Sequence, residues 1–249
     1  MLTHDQIQAF KRDGVIILRD LFSPGEITAW RDQVLEYFHR PATPDAWWGA
    51  LRAYRSGGFR LKEDPTPWTH PDLIGVYRSF HSTAQWSGDN ELVLRPGEDE
   101  APWLGARAPH LDFPVYAPLR TLANSVLYLS HVQERGGAFM YWPGSHHIAW
   151  DYFRRNPDDY LSRGERSQDQ TFALLQREMI CDPLEFIGKP GDVLIWHSLL
   201  LHSGSVNKRP EARIAIFGRW GVTLQGEPIY DFNADMWDYW NFRLPQLVS

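Results

Sequence analysis

With 249 residues, 43% of them hydrophobic and 22% charged, the chain has material for one sizeable soluble domain. A formal net charge of −6 speaks against nucleic acid or an anionic membrane as the main partner, since either favours a basic surface. The lone Cys181 excludes an intrachain disulfide framework; with no leader pattern after Met1 and no apolar run approaching ~20 residues, a cytoplasmic protein without membrane spans is expected.

Taken in chain order, Thr3 and Gln6 form a capping-box pattern, and Ile7 and Phe10 share one face of the helix that Gly14 ends. The β-branched run Val15-Ile16-Ile17-Leu18 predicts a short buried strand. Ser23-Pro24-Gly25-Glu26 supplies a second capping box, with Pro at the first helical position. Ile27, Trp30, Val34, Leu35 and Phe38 give that helix its core-facing stripe, to about residue 38. Residues 41–105 scatter Pro, Gly, Trp47, Trp48 and Trp68 without sustained periodicity, which predicts loops, short helices and one or two strands over a cavity mouth.

From about residue 106 the pattern changes to short strands, at 110–113, 125–130, 138–142, 184–187, 193–197 and 213–220. Pro143-Gly144 and Lys189-Pro190-Gly191-Asp192 punctuate them as turns. Residues 157–180, polar and with a helical stretch at Phe172-Ala-Leu-Leu-Gln, predict an insertion over the sheets. The expected fold is mainly β with flanking helices: a double-stranded β-helix, or jelly roll, with the N-terminal helices packed on one sheet.

His110 and Asp112 are two apart, so on a strand both project from one face and can share an ion. Two imidazoles and a carboxylate form the facial triad that holds non-haem Fe(II) with positions open for oxygen chemistry. His197 and His202 both stand in the later strand region as candidates for the third ligand. Five residues apart, they face opposite ways in regular strand geometry, so both cannot serve equally. A His-x-Asp pair by itself is equally a surface or hydrogen-bonded histidine. His146 and His147 follow a Pro-Gly turn and read as structural, with substrate contact as the alternative.

Four stretches carry a family resemblance. They are Leu2-Thr-His-Asp-Gln-Ile-Gln-Ala-Phe10-Lys-Arg-Asp-Gly14-Val, His110-Leu-Asp112, Gly136-Gly137-Ala-Phe-Met-Tyr-Trp-Pro143-Gly144-Ser145-His146, and Gly191 to Arg213 with His202 and Asn207 inside it. In that order they resemble the phytanoyl-CoA dioxygenase family, which comprises Fe(II)- and 2-oxoglutarate-dependent oxygenases. The resemblance implies His202 as the ligand beside His110 and Asp112, eleven residues before Arg213. It makes Arg213 the binder of the distal carboxylate of 2-oxoglutarate, a role that suits a planar guanidinium able to donate two parallel hydrogen bonds. Arg213, Ala215, Phe217 and Arg219 share one face of the predicted strand, and Arg219 is a fallback clamp, with a surface salt bridge as the favoured alternative.

The chain also departs from the family. The hydroxyl expected two residues after the second histidine is Gly204, flanked by Ser203 and Ser205. The glutamine expected three residues before the first histidine is Arg107, a cation suited to a carboxylate of the co-substrate or of an acidic substrate. Tyr128 stands near a co-substrate contact of relatives, with a core tyrosine as the alternative. Phe113, Tyr116 and Trp142, joined by Trp47 and Trp48, are pocket candidates, each also a plausible packing residue. Retention of Asp112 argues for oxygen transfer over halogenation; desaturation, ring formation and epimerisation also use an intact triad.

The function implied is a dioxygenase using Fe(II), 2-oxoglutarate and O2 to hydroxylate an unactivated C–H bond of a small, partly apolar molecule, in natural-product metabolism. The alternatives are a metal-dependent hydrolase with the same triad and a non-catalytic jelly-roll binding module. Net acidity without a Lys/Arg cluster disfavours a CoA thioester, and nothing in the sequence sets the oligomeric state. Residues 1–249 are expected to form a single domain: 1–40 as helical support, 41–105 as pocket cover, 106–220 as metal-binding core and 221–249 as a C-terminal extension.

Overall fold

The computed structural model describes residues 1–37, 61–62, 64–95, 109–112, 115–116, 119–157, 177–178, 181–223, 232, 235–238 and 240–243. The chain opens with α1 (His4–Asp13), where Thr3 Oγ1 accepts from Gln6 N–H and the Gln6 side chain accepts from Thr3 N–H at 2.8 Å. Gly14 ends it at φ 75°, a conformation that side chains disfavour. The next residue begins β1 (Val15–Leu18), and Ser23 and Glu26 exchange the second capping box at the head of α2 (Pro24–Tyr37).

Beyond these lie α3 (Pro71–Phe80), β2 (Gln85–Arg95), β3 (Val115–Tyr116), β4 (Leu119–Tyr128) and β5 (Phe139–Tyr141). The chain continues with α4 (Ser145–Arg155), β6 (Leu184–Phe186), β7 (Val193–His197), β8 (His202–Gly204) and β9 (Arg213–Thr223). The strands form two antiparallel sheets, a larger one ordered β1-β7-β4-β9-β2 with β3 beside β4, and a smaller one ordered β6-β5-β8.

Period-two alternation assigns each face of the larger sheet a different neighbour. Val193 and Ile195 of β7, with Ile214, Ile216 and Trp220 of β9, pack against Phe10 of α1, Trp30 and Val34 of α2, and Val76, Tyr77 and Phe80 of α3. Trp220 stacks on Tyr77 with centroids 4.0 Å apart, and each such buried aromatic contributes about 2–3 kcal/mol through burial. The intervening residues Leu194 and Trp196, with Val126, Tyr128 and Ala215, meet Phe139, Tyr141 and Phe186 of the smaller sheet. The space between the sheets is therefore lined by β4, β7 and β9 on one side and by β5, β6 and β8 on the other.

Several elements differ from expectation. Of the predicted strand at 110–113, the described residues 110–112 hold one bridge, at His110, because its pairing with His202 has no ladder to extend along. β4 starts at Leu119, well before residue 125; Leu122 to Leu129 are buried without a break, so alternation gives no signal there. α4 follows Gly144 where only a turn is expected, and β8 is too short to show a period. Residues 47, 48, 107, 113 and 172, named above, lie outside the described residues. Among the described residues no helix is long and apolar enough to cross a membrane.

Candidate metal centre

The site starts from a backbone contact. His110 N–H donates to His202 C=O at 2.9 Å and His202 N–H donates to His110 C=O at 3.0 Å. This reciprocal pair sets the two imidazoles side by side, centroids 4.4 Å apart. Asp112, two residues on, brings Oδ2 to 3.5 Å from His202 Nε2, while the intervening Leu111 turns into a separate core cluster. One ligand atom from each of His110, Asp112 and His202 lies within 4.8 Å of the others.

Protons decide what this trio can hold. His202 Nδ1 lies 2.8 Å from Leu200 C=O, which can only accept, so the ring proton sits on Nδ1. Burial lowers the His202 pKa to about 4 against the opposing pull of Asp112, so at neutral pH the ring carries no second proton. The Nε2 lone pair therefore faces a carboxylate oxygen, an arrangement of two acceptors that a cation resolves. Neutral imidazole and carboxylate are also the protonation states a metal ligand requires. Two nitrogens and an oxygen, with no thiolate, suit ferrous iron. The residues present fit that ion.

Around the trio, Asn124 Nδ2 of β4 donates to Asp112 Oδ2 at 2.6 Å, and Phe139 and Trp196 flank the His202 ring, each with centroids 5.2 Å away. Groups that orient ligands commonly affect affinity strongly. Asn124→Leu, which keeps the branched shape but lacks the donor, is expected to weaken Fe(II) binding by about 10–100-fold in a chelator competition while the protein stays folded.

Arg213 opens β9 and is buried, its parity shared with Ala215 and Phe217 between the sheets. Its Nη1 donates to Gly137 C=O at 2.6 Å, and the guanidinium carbon stands 6.0 Å from the Phe217 ring. Tyr128 lies close enough to feel this charge, although burial dominates and pushes the phenol up to about 12. The Tyr128 hydroxyl donates to Phe186 C=O at 3.0 Å and accepts from Phe139 N–H at 2.9 Å, so its single proton ties the two sheets together. Gly204 pairs with Phe139 of β5, in phase with His202, whereas Ser203 and Ser205 have the opposite parity.

The remaining candidates fall elsewhere. His197 lies on the helix side of the larger sheet, stacked on Trp240 at 5.2 Å and accepting from Leu199 N–H at 3.0 Å. His146 and His147 both donate to Lys11 C=O, tying α4 to α1; burial holds His146 neutral by lowering its pKa to about 3. Trp142 packs with Leu111, Trp150, Leu199 and Leu201, out of phase with Tyr141, which pairs with His202. Tyr116 is on β3. Sequence reasoning overlooked Asn124, although an amide in the apolar run from Leu122 to Leu129 is itself a signal, since asparagine is depleted in strands.

Residues 95–215 match the phytanoyl-CoA dioxygenase family. An ectoine dioxygenase of Sphingopyxis alaskensis is 27% identical over 240 residues, covering 85% of this chain and 73% of that protein. Among solved structures, the non-haem alpha-ketoglutarate-dependent carbocyclase SnoK from nogalamycin biosynthesis superimposes with a TM-score of 0.56 at 18% identity, covering 89% of this chain and 84% of SnoK. HygX from Streptomyces hygroscopicus, with nickel and 2-oxoglutarate bound, gives 0.55 at 18% identity over 90% of this chain and 88% of HygX. These structures share the fold. The matched segment, 121 of the 249 residues, and the ectoine dioxygenase relative are what make the chain similar to the phytanoyl-CoA dioxygenase family.

Proposed function

We propose that this protein is an Fe(II)- and 2-oxoglutarate-dependent dioxygenase that hydroxylates an unactivated C–H bond of a small, partly apolar molecule. The fold is read as a single jelly-roll domain over residues 1–249, its two sheets holding the centre between them. The observation that carries the reading is the convergence of His110, Asp112 and His202, with acceptor facing acceptor, on the sheet face that also buries Arg213. Arg213 takes the distal carboxylate of 2-oxoglutarate through its guanidinium fork. Asn124 holds Asp112 in place, Leu200 C=O fixes the His202 tautomer, and Phe139 and Trp196 keep water from the imidazole. Bound iron supplies the oxidising chemistry, using O2 and the oxidative decarboxylation of 2-oxoglutarate to succinate.

Tyr128 has its proton committed to Phe186, so its contribution is to shape the floor near Arg213. Arg107, Phe113 and Tyr116 are proposed to line the approach to the metal. Similarity to an ectoine dioxygenase supports a compact substrate. The test is aerobic succinate formation on addition of Fe(II), ascorbate and 2-oxoglutarate, screened against a panel of small metabolites by mass spectrometry. Iron- and O2-dependent succinate with an oxygen-bearing product is the expected result. Turnover of a substrate without O2 would point to hydrolysis.

A further inference from the structure

We propose that Arg219 receives a carboxylate of the organic substrate, so that the molecule oxidised at this centre is a compact carboxylic acid. The inference rests on the dioxygenase reading and narrows its substrate class.

The placement follows from the alternation of β9. Ile214, Ile216 and Trp220 face the helices, whereas Ala215 and Phe217 face the smaller sheet, and Arg219 has the latter parity. Across the larger sheet Arg219 pairs with Asn124, and Asn124 pairs in turn with Trp196. This row of three is the floor beneath the metal ligands, since Asn124 bonds Asp112 at 2.6 Å and Trp196 packs 5.2 Å from His202. The ladder between β9 and β2 shifts register between Trp86 and Asn90, beside residue 219. Bulges of this kind recur next to active sites, where they re-aim a side chain.

Charge then selects the ligand. Ferrous iron and Arg213 carry as many positive charges as Asp112 and 2-oxoglutarate carry negative ones, so the loaded centre is neutral before Arg219 is counted. Arg219 is half-buried and makes no hydrogen bond or ion pair to any described residue. Arg213 cannot stand in for Arg219, because it begins the strand six residues earlier, about 20 Å away along β9. One carboxylate on the substrate balances the surplus charge and matches the planar fork. It also tethers the molecule beside the metal, leaving its apolar part to meet the oxidant.

The test uses the full chain loaded anaerobically with Fe(II) and 2-oxoglutarate, and probes matched in shape but differing in charge. Benzoate against benzamide, and cyclohexanecarboxylate against cyclohexanecarboxamide, are titrated by ligand-detected NMR. The wild type is expected to bind each carboxylate about tenfold or more tightly than its amide, as befits a charge-assisted bidentate pair. Arg219→Gln abolishes that preference, and Arg219→Lys restores part of it. Iron content and 2-oxoglutarate affinity in Arg219→Gln stay within about twofold of wild type, because Arg213 still holds the co-substrate. The inference is overturned if the wild type shows no preference, including binding by neither member of a pair, or if Arg219→Gln keeps it. It is also overturned if Arg219→Gln weakens 2-oxoglutarate as much as the carboxylate probes, which would make Arg219 a second clamp on the co-substrate. Failure of the wild type to bind iron and 2-oxoglutarate at all sinks the dioxygenase reading itself, and is seen before any probe is added.

Discussion

His202→Ala is expected to lose stoichiometric Fe(II) and to reduce 2-oxoglutarate turnover by about a thousandfold or more, equivalent to roughly 4 kcal/mol of transition-state stabilisation. The ring presents its Nε2 lone pair beside the Asp112 carboxylate and spends its only proton on Leu200, so no neighbouring histidine can take its place. His197→Ala is the control. Five residues earlier, His197 stacks on Trp240 on the other face of the sheet. Its loss should cost about 1 kcal/mol of stability, typical of an aromatic pair, with iron content unchanged. Metal analysis and thermal melts on the two variants separate the roles. Full iron in His202→Ala, or empty protein in His197→Ala, would reverse the ligand assignment.

The contrast between these two histidines shows where the sequence was informative. Spacing alone excluded their serving together, but which one faced the metal depended on parity relative to the second sheet. That relation is invisible until β5 and β8 are paired. His110 and Asp112 were legible as a pair for a different reason: two residues apart, they need only an extended backbone to share a face, and a single bridge to His202 suffices. The capping boxes of α1 and α2 were legible because they are local contacts within three residues.

What stayed hidden was non-local. β8 is three residues long and exists because β5 lies alongside it. α4 was masked by its own approach, a Pro-Gly turn whose glycine also begins a helix at φ 77°. Tyr128 could be placed near the co-substrate, but not seen to spend its proton on Phe186, a residue 58 positions away. Arg219 was weighed only as a clamp or a surface salt bridge. Its cross-strand partner is Asn124, which bonds Asp112, and that pairing is not visible in the sequence.

Arg213→Met should reduce 2-oxoglutarate affinity by about a hundredfold or more, since a charged pair out of bulk water loses several kcal/mol when one partner is removed. Iron affinity should change little: Arg213 donates to Gly137 at the start of β9, away from the row that supports Asp112. Arg213→Lys keeps the charge but not the fork, and is expected to fall between the two. The cleanest readout is ligand-induced stabilisation of the iron-loaded protein. At a 2-oxoglutarate concentration about 100 times the wild-type dissociation constant, binding adds roughly 2.7 kcal/mol to the wild type, and a variant weakened a hundredfold gains only about 0.4 kcal/mol. Comparing shifts within each variant cancels whatever the substitution does to packing against Phe217. If Arg213→Met shows the full wild-type shift, the distal carboxylate binds elsewhere, and Arg107 and Arg219 become the cations to replace next.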